Sequence, residues 1–373
     1  MNNTINTKCL FVCFDAGETT GLIPVMQRME KKGYDFRVLV MATAATVLTP
    51  DMFKGKRLEL SDLGFSEVVD RETTRKTRLA GLERIKQQIN PKVVVVGNAS
   101  QGIQKQILKL YTDRPRISYS ENFYYDLDSY AGKVVKKVAS SANYIFCPSS
   151  NLVEIFKERL KPLPKKSYKI VGKPSLDAWA KEIAKVEKEG VYRALNLQEA
   201  KGPVVVLIGG YGDGYDVVNP MYEKCKEKLE NAGYQVVYQP HPKISKPLVP
   251  TTSVLAIADY VVGFNSSVLF DSLLIGKKAV YLIPSGTSYN HFAIDKGFAP
   301  KVENEEQLME KMEELRGSAK RDIAEELQIP SKSAKLIFNN IKELSAPSVT
   351  ERIINFFTCN RCCFIPNEYE KKL

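Results

Sequence analysis

The sequence predicts an α/β protein made of two doubly wound domains that face each other across a cleft. Three observations carry this. Short, continuously apolar runs alternate with amphipathic helical stretches along most of the 373 residues. The runs read as strands buried on both faces, which is the signature of parallel sheets. The alternation breaks once, at a charged stretch in mid-chain, and then restarts, and at roughly 150 residues per domain the length allows two domains.

Taken in order, Lys8–Phe14 is the first such strand. It delivers Asp15-Ala16-Gly17-Glu18 into a loop at its carboxyl end, where open α/β sheets bind ligands. Leu22, Ile23, Met26 and Met29 then mark a helix face. Asp15 and Glu18 are candidate general bases; the other reading of Glu18 and Thr19 is helix capping. Phe36–Met41 is the next strand, and a helix is expected from about Thr73 to Ile89. Lys92–Gly97 is a strand whose loop opens a helix ending at Leu110. Arg116–Tyr119 leads into Ser120–Asp126, an aromatic, polar loop. Its Glu121 and Tyr124 are candidates for the acceptor side of a cleft, with interdomain packing as the alternative. Asn143–Cys147 and Tyr168–Val171 complete the first half, and a charged helix from Lys181 to Ala194 interrupts the pattern. The expected boundaries are 1–173, 174–346 and a tail over 347–373.

Val204–Ile208 restarts the alternation and ends in Gly209-Gly210-Tyr211-Gly212-Asp213-Gly214. These glycines permit close backbone approach to a ligand. The spacing is neither a P-loop nor the full dinucleotide fingerprint, and the next helix is expected near Pro220. Asp213 and Asp216 do not form a metal-binding pair. The strand Gln235–Tyr238 stops at Gln239-Pro240-His241-Pro242-Lys243, where prolines end the ladder and hold His241 at a strand's carboxyl end. The strand Asp259–Val262 is followed by Gly263-Phe264-Asn265-Ser266-Ser267. Asn and Ser are good N-caps, and a helix start with free amides is an anion site. That helix ends at Gly276, a left-handed cap, before the strand Ala279–Leu282. In the loop that follows, His291 either touches a nucleotide or packs beside Phe292. Glu305–Lys342 reads as a charged, solvated helical face, with the final helices expected to cross back over the first domain.

The paired segments "QPHPK" and "ADYVVGFNSSVLFDSLLIGKKAVYL" resemble the HP and SS motifs of GT-B glycosyltransferases, such as bacterial sialyltransferases, capsule Kdo transferases and teichoic acid glycerophosphotransferases. The resemblance implies two Rossmann-like domains, the first for the acceptor and the second for a nucleotide donor. It implies that His241 contacts or protonates the leaving phosphate, with Pro242 beside it, and that Ser266 and Ser267 bind its oxygens. Asp271 falls where related enzymes place a carboxylate on the ribose hydroxyls, although many carry Glu there. Gly209, Gly210 and Gly212 would face the donor phosphates. The opening loop is similar to the AGE loop of lipid A disaccharide synthase, in which an acidic residue is implicated in activating the acceptor. "CPSS" and "VGKPSLDAW" resemble the segment that ends the first domain of GT-B enzymes and of nucleotide-sugar 2-epimerases, written GNPxxD; here Lys173 replaces the usual Asn.

Charge and cysteine usage narrow the class. A net charge of +11 favours an anionic partner, either a nucleotide diphosphate or an anionic membrane surface. The lysines are spread along helices and no DNA or RNA motif appears, so no nucleic-acid partner is expected. Cys9, Cys13, Cys147 and Cys225 sit in apolar or helical segments as small hydrophobes, a cytosolic pattern. No basic-plus-apolar leader and no apolar run of ~20 residues is present, so a cytoplasmic protein is expected, peripheral at a membrane if bound to one. The expectation is glycosyl transfer from a CMP-, CDP- or UDP-linked sugar to a hydroxyl of a glycan or lipid-linked acceptor, without metal or other cofactor. A nucleotide-sugar 2-epimerase and a non-catalytic nucleotide-sugar or lipid binder are the alternatives.

The tail carries Ile353, Ile354, Phe356, Phe357, Phe364 and Ile365 with Arg352 and Arg361 among them. That composition suits a membrane interface or a docked terminal helix. Cys359, Cys362 and Cys363 lack a fourth zinc ligand nearby and no CaaX box follows, so acylation or plain packing are the readings left for them.

Overall fold

A computed structural model describes residues 4–63, 75–98, 102–160, 162, 164, 167–241, 244–287, 289–319 and 321–346, with backbone alone over 75–81. The predicted tail segment 347–373 lies outside the described residues. Among the described residues, the first sheet holds seven strands: β1 (Ile5–Cys13), β2 (Phe36–Val40), β3 (Arg57–Leu58), β4 (Ile89–Gly97), β5 (Arg116–Tyr119), β6 (Tyr144–Cys147) and β7 (Tyr168–Ile170). The helices α1 (Ala16–Lys31), α2 (Arg75–Gln88), α3 (Ile103–Leu110), α4 (Tyr130–Ala139) and α5 (Ser150–Arg159) cover it. Two helices, α6 (Pro174–Ile183) and α7 (Lys188–Ala194), lead to the second sheet. That sheet contains β8 (Val204–Ile208), β9 (Gln235–Gln239), β10 (Tyr260–Gly263), β11 (Lys278–Leu282) and β12 (Lys301–Val302). Around it lie α8 (Tyr215–Asn231), α9 (Thr251–Ile257), α10 (Ser267–Leu274), α11 (Phe292–Asp295), α12 (Glu305–Arg316), α13 (Ile323–Glu326) and α14 (Ser333–Leu344).

Both sheets are parallel, ordered β3-β2-β1-β4-β5-β6-β7 and β12-β11-β10-β8-β9. The central strand shows why its sequence is apolar throughout. Cys9, Phe11 and Cys13 point into one core cluster, Leu10 and Val12 into the other, and all five are fully buried. Burying a large apolar side chain of this kind contributes about 1.5–3 kcal/mol. The winding reverses between β1 and β4 in the first sheet and between β8 and β10 in the second. Doubly wound sheets bind ligands in the crevice at such points, beyond the carboxyl ends of the strands.

Three expected elements differ. The charged helix 181–194 is two helices, α6 and α7, because Pro174 starts the first at its N-terminus and the second begins only at Lys188. The helix after β8 begins at Tyr215 rather than near Pro220: Gly214, at φ +88°, is its N-cap, and Pro220 sits inside it. The stretch 305–342 is broken into α12, α13 and α14, with left-handed backbone at Gln328 and Lys332 between the last two. Nor is its end a solvated face. Ile337, Phe338 and Ile341 of α14 enter the first-sheet core beside Leu22, Met26 and Met29 of α1.

Further contacts tie the halves together. The Ser150 amide donates to the Leu327 carbonyl at 2.9 Å, and the Ser333 amide to Asp177 Oδ2 at 2.6 Å. Gly172, at φ +75°, lies so close to Ser333 that a Cβ would stand 2.3 Å from its hydroxyl. Among the described residues no helix is long and apolar enough to cross a membrane.

Candidate active site

Asp15 is the N-cap of α1, and Glu18, in the third helical position, turns back toward it. Glu18 Oε1 accepts from the amides of Phe14 at 2.7 Å and Asp15 at 3.2 Å and from Gln104 Nε2 at 3.3 Å. Satisfying free amides at a helix start is what such a residue does in a capping box. Its other oxygen, Oε2, is buried without a partner, packed over Gly97, where a Cβ would come within 2.1 Å. Burial pushes the Glu18 carboxyl up to about 8 against the pull of the Phe14 amide, with Asp15 and Glu121 adding to the rise.

The loop after β5 reaches across to the second domain. Asn98 fixes its base, donating to Ser120 Oγ at 2.6 Å and accepting from Ser118. Glu121 lies beside α1, with Oε2 3.4 Å from where a Cβ on Gly17 would be, and Ser175 Oγ is 3.5 Å from its Oε1. Burial raises the Glu121 carboxyl to about 7; Lys173 pulls it down and Asp271 pushes it up. Phe123 is buried in the second-domain core, its ring 5.0 Å from that of Phe270. Tyr124 meets the His291 ring at 5.2 Å. So this loop both packs between the domains and lines the cleft.

Lys173 and Asp271 join the halves beneath that loop, with Nζ 2.7 Å from Oδ2 and side chains only 5% and 4% exposed. Burial opposes the lysine's charge, but Asp271 and Glu121 outweigh it and hold Lys173 above its ordinary range. Burial dominates at Asp271 and raises it despite Lys173. Asp271 Oδ1 has no partner. The carboxylate expected on the ribose therefore faces inward, paired with a lysine.

Ser266 is the N-cap of α10 and accepts from the Val268 amide at 3.3 Å. Ser266, Ser267 and Asn265 form one wall of a cavity of about 230 Å³ whose other walls include Tyr124, Lys173 and His291. His291 is buried, stacked on Tyr281 with ring centroids 5.2 Å apart, and Nδ1 accepts from the Ala293 amide at 3.2 Å. Burial drops its pKa to about 3, so the imidazole is neutral, and acceptance at Nδ1 puts the proton on Nε2. Here a helix start, a lysine and a neutral N–H donor share one cavity.

His241 stands elsewhere. It follows β9 with its ring 4.4 Å from that of Tyr211 in the glycine loop, and it is not in the cavity wall. Pro242 lies outside the described residues. The glycine loop is also absent from that wall. Gly210 is packed against the Tyr215 ring, where a Cβ would approach within 2.0 Å, and Gly209 lies against Tyr238. Gly212, at φ +96°, has open space around it. Among the described residues no group of three or more His, Cys, Asp or Glu side chains is placed to hold a metal ion.

By sequence the chain matches no known family and no curated protein. By structure it is similar to a putative UDP-N-acetylglucosamine 2-epimerase from Listeria monocytogenes, with TM-score 0.67, 15% identity, and 90% of this chain and 96% of the other covered. It is similar also to the UDP-GlcNAc 2-epimerase from Neisseria meningitidis bound to UDP-GlcNAc (TM-score 0.63, 14% identity, 95% and 100% covered). The wall teichoic acid polymerase TagF matches at TM-score 0.57 and 12% identity, with 91% and 88% covered. At these identities the likeness establishes the architecture alone: a two-domain, GT-B-like α/β fold.

Proposed function

We propose that the chain transfers a sugar from a nucleotide-activated donor to a hydroxyl of a glycan or lipid-linked acceptor. The observation that carries this is the cavity between the domains, with the α10 start and Lys173 on one side and the Glu121 loop on the other. Asn265, Ser266, Ser267 and the first amides of α10 take the donor's phosphate oxygens, and Lys173 supplies positive charge beside them. Glu121, raised toward neutrality by burial, accepts the proton of the attacking hydroxyl. The acceptor oxygen forms its bond to the anomeric carbon, the bond from that carbon to the phosphate oxygen breaks, and the nucleotide leaves with the electron pair. The glycine loop after β8, the strand next to β10, and His241 after β9, one strand beyond it, hold the rest of the nucleotide. A cytidine nucleotide is favoured by the resemblance of the HP and SS segments.

Nucleotide release from CMP-, CDP- and UDP-sugars, with and without an acceptor, tests this for the wild type, Glu121→Gln and Ser266→Ala/Ser267→Ala. Equal release by all three proteins would overturn it. A second reading, 2-epimerisation of the nucleotide sugar, is favoured by the likeness to the epimerase structures and by the two raised carboxyls of the first domain, Glu18 and Glu121. A changed sugar recovered with no acceptor present would select it.

A further inference from the structure

On the first domain, α3, α4 and the end of α5 enclose an open hollow of about 610 Å³ lined by Lys105, Lys133, Lys136, Lys137 and Arg159, with no acidic side chain in its wall. Among the described residues the four lysines make no salt bridge, whereas Arg159 is paired with Asp128. Gathering like charges in one concavity costs free energy through mutual repulsion, and a multivalent anion relieves it by displacing several counterions at once. The hollow connects to the cleft through a single helix. Ser129, Ala131 and Gly132 at the start of α4 line the cleft cavity, and the lysines follow along the same helix at ~1.5 Å per residue. Tyr130, the first residue of α4, projects with 81% of its surface exposed, although Val135, Val138 and Ala139 of the same helix are buried.

We infer that this face is a binding track for a polyanionic acceptor, a glycan or polymer chain with repeated phosphate or carboxylate groups, whose terminal hydroxyl enters the cleft. The inference rests on the transfer reading above for the word acceptor; the track itself does not. The lysines hold the repeated charges, and the exposed Tyr130 ring at the helix start offers a stacking surface to one unit. A bilayer fits less well. Interfacial helices bury an apolar face in the lipid, and α4 presents one tyrosine beside a concave surface whose charged side chains are all basic.

Binding of fluorescently labelled inorganic polyphosphate to the full chain, read by anisotropy, tests the track. Charge reversal at Lys133→Glu/Lys136→Glu/Lys137→Glu should weaken binding by roughly tenfold or more and flatten its salt dependence between about 50 and 200 mM. Lys133→Arg/Lys136→Arg/Lys137→Arg should retain it. A control reversing the exposed Lys181, Lys224 and Lys226 matches the change in net charge. Equal losses in the two reversed proteins would mean net charge alone, and would overturn the track. So would binding to phosphatidylglycerol vesicles in place of polyphosphate. The CDP-induced melting shift should be unchanged in the charge-reversed protein. If that shift is missing in the wild type while polyphosphate still binds through Lys133, Lys136 and Lys137, the donor reading fails and the track stands.

Discussion

Lys173 and Asp271, 98 positions apart in the chain, meet as a buried ion pair 2.7 Å long between the two domains. They are also the two positions at which the sequence departs from the motifs it resembles, a lysine in place of Asn and an aspartate where Glu is common. The longer cation meets the shorter carboxylate, so the two departures compensate one another. Removing one partner leaves a buried charge uncompensated, so Lys173→Met or Asp271→Ala should cost about 3–5 kcal/mol in urea unfolding. Lys173→Met/Asp271→Leu should recover most of that, because apolar replacement of both partners is often nearly neutral. Singles within experimental error of wild type would show that the pair contributes nothing.

Glu18 makes stability depend on pH. Its carboxyl titrates near 8 in the folded chain against an ordinary value of 4.5, so the folded state holds this proton more tightly than the unfolded one. Stability from this group is therefore present below about 4.5 and lost as pH rises through the window from there to about 8, a cost on the order of a few kcal/mol. Glu18→Gln keeps an acceptor for the Phe14 and Asp15 amides and should flatten that slope, gaining stability at pH 8 to 9. An unchanged pH profile of melting temperature rules this out.

Gly97 has no room for a side chain, because a Cβ would sit 2.1 Å from Glu18 Oε2 and 2.8 Å from Glu18 Cβ. Gly97→Ala should destabilise by about 1–3 kcal/mol through overpacking. In Gly97→Ala/Glu18→Ala the carboxylate part of the obstruction is gone and only the 2.8 Å approach of the two Cβ atoms remains, so the double variant should lose less than the sum of the singles. Strict additivity would contradict the contact.

If Glu121 takes the acceptor proton it must be ionised, so kcat/KM should rise with pH through about 7. Glu121→Gln should remove that limb along with most of the activity. A profile that keeps the limb in the variant assigns it to another group.

Replacing Ser266 and Ser267 together with Ala should weaken nucleotide binding by roughly 1–3 kcal/mol, the loss expected for hydrogen bonds to a charged group. The shift in melting temperature at fixed nucleotide concentration reads this directly. Unaltered affinity returns the pair to simple helix capping.

Most strands were legible as apolar runs, and the loops at their ends could be placed from that; β3 (Arg57–Leu58) and β12 (Lys301–Val302), two residues each with a charged one, carry no such run and were not read. Strand order was not legible, and it decides which loops are neighbours. The histidine singled out by its flanking prolines follows β9 at the sheet edge, whereas β11 lies directly beside β10. His291 therefore lines one cavity with Ser266 and Ser267, and His241 is not among the residues of that cavity's wall. The role of Lys173 was missed for a related reason: its partner, Asp271, comes from the other domain, and nothing local marks the two as a pair. The helix after β8 was placed too late because Pro220 reads as a start signal, while the true start is the left-handed Gly214.

The packing of α14 sets an order on biosynthesis. Ile337, Phe338 and Ile341 complete a core whose strands lie more than 160 residues upstream. A ribosome that has released all seven first-sheet strands has therefore released only an unfinished domain, with an apolar stripe along α1 open to solvent until the end of the described chain emerges. Expressing the first half by itself should give a protein that aggregates or binds chaperones, and adding a peptide spanning α14 in trans should rescue its solubility.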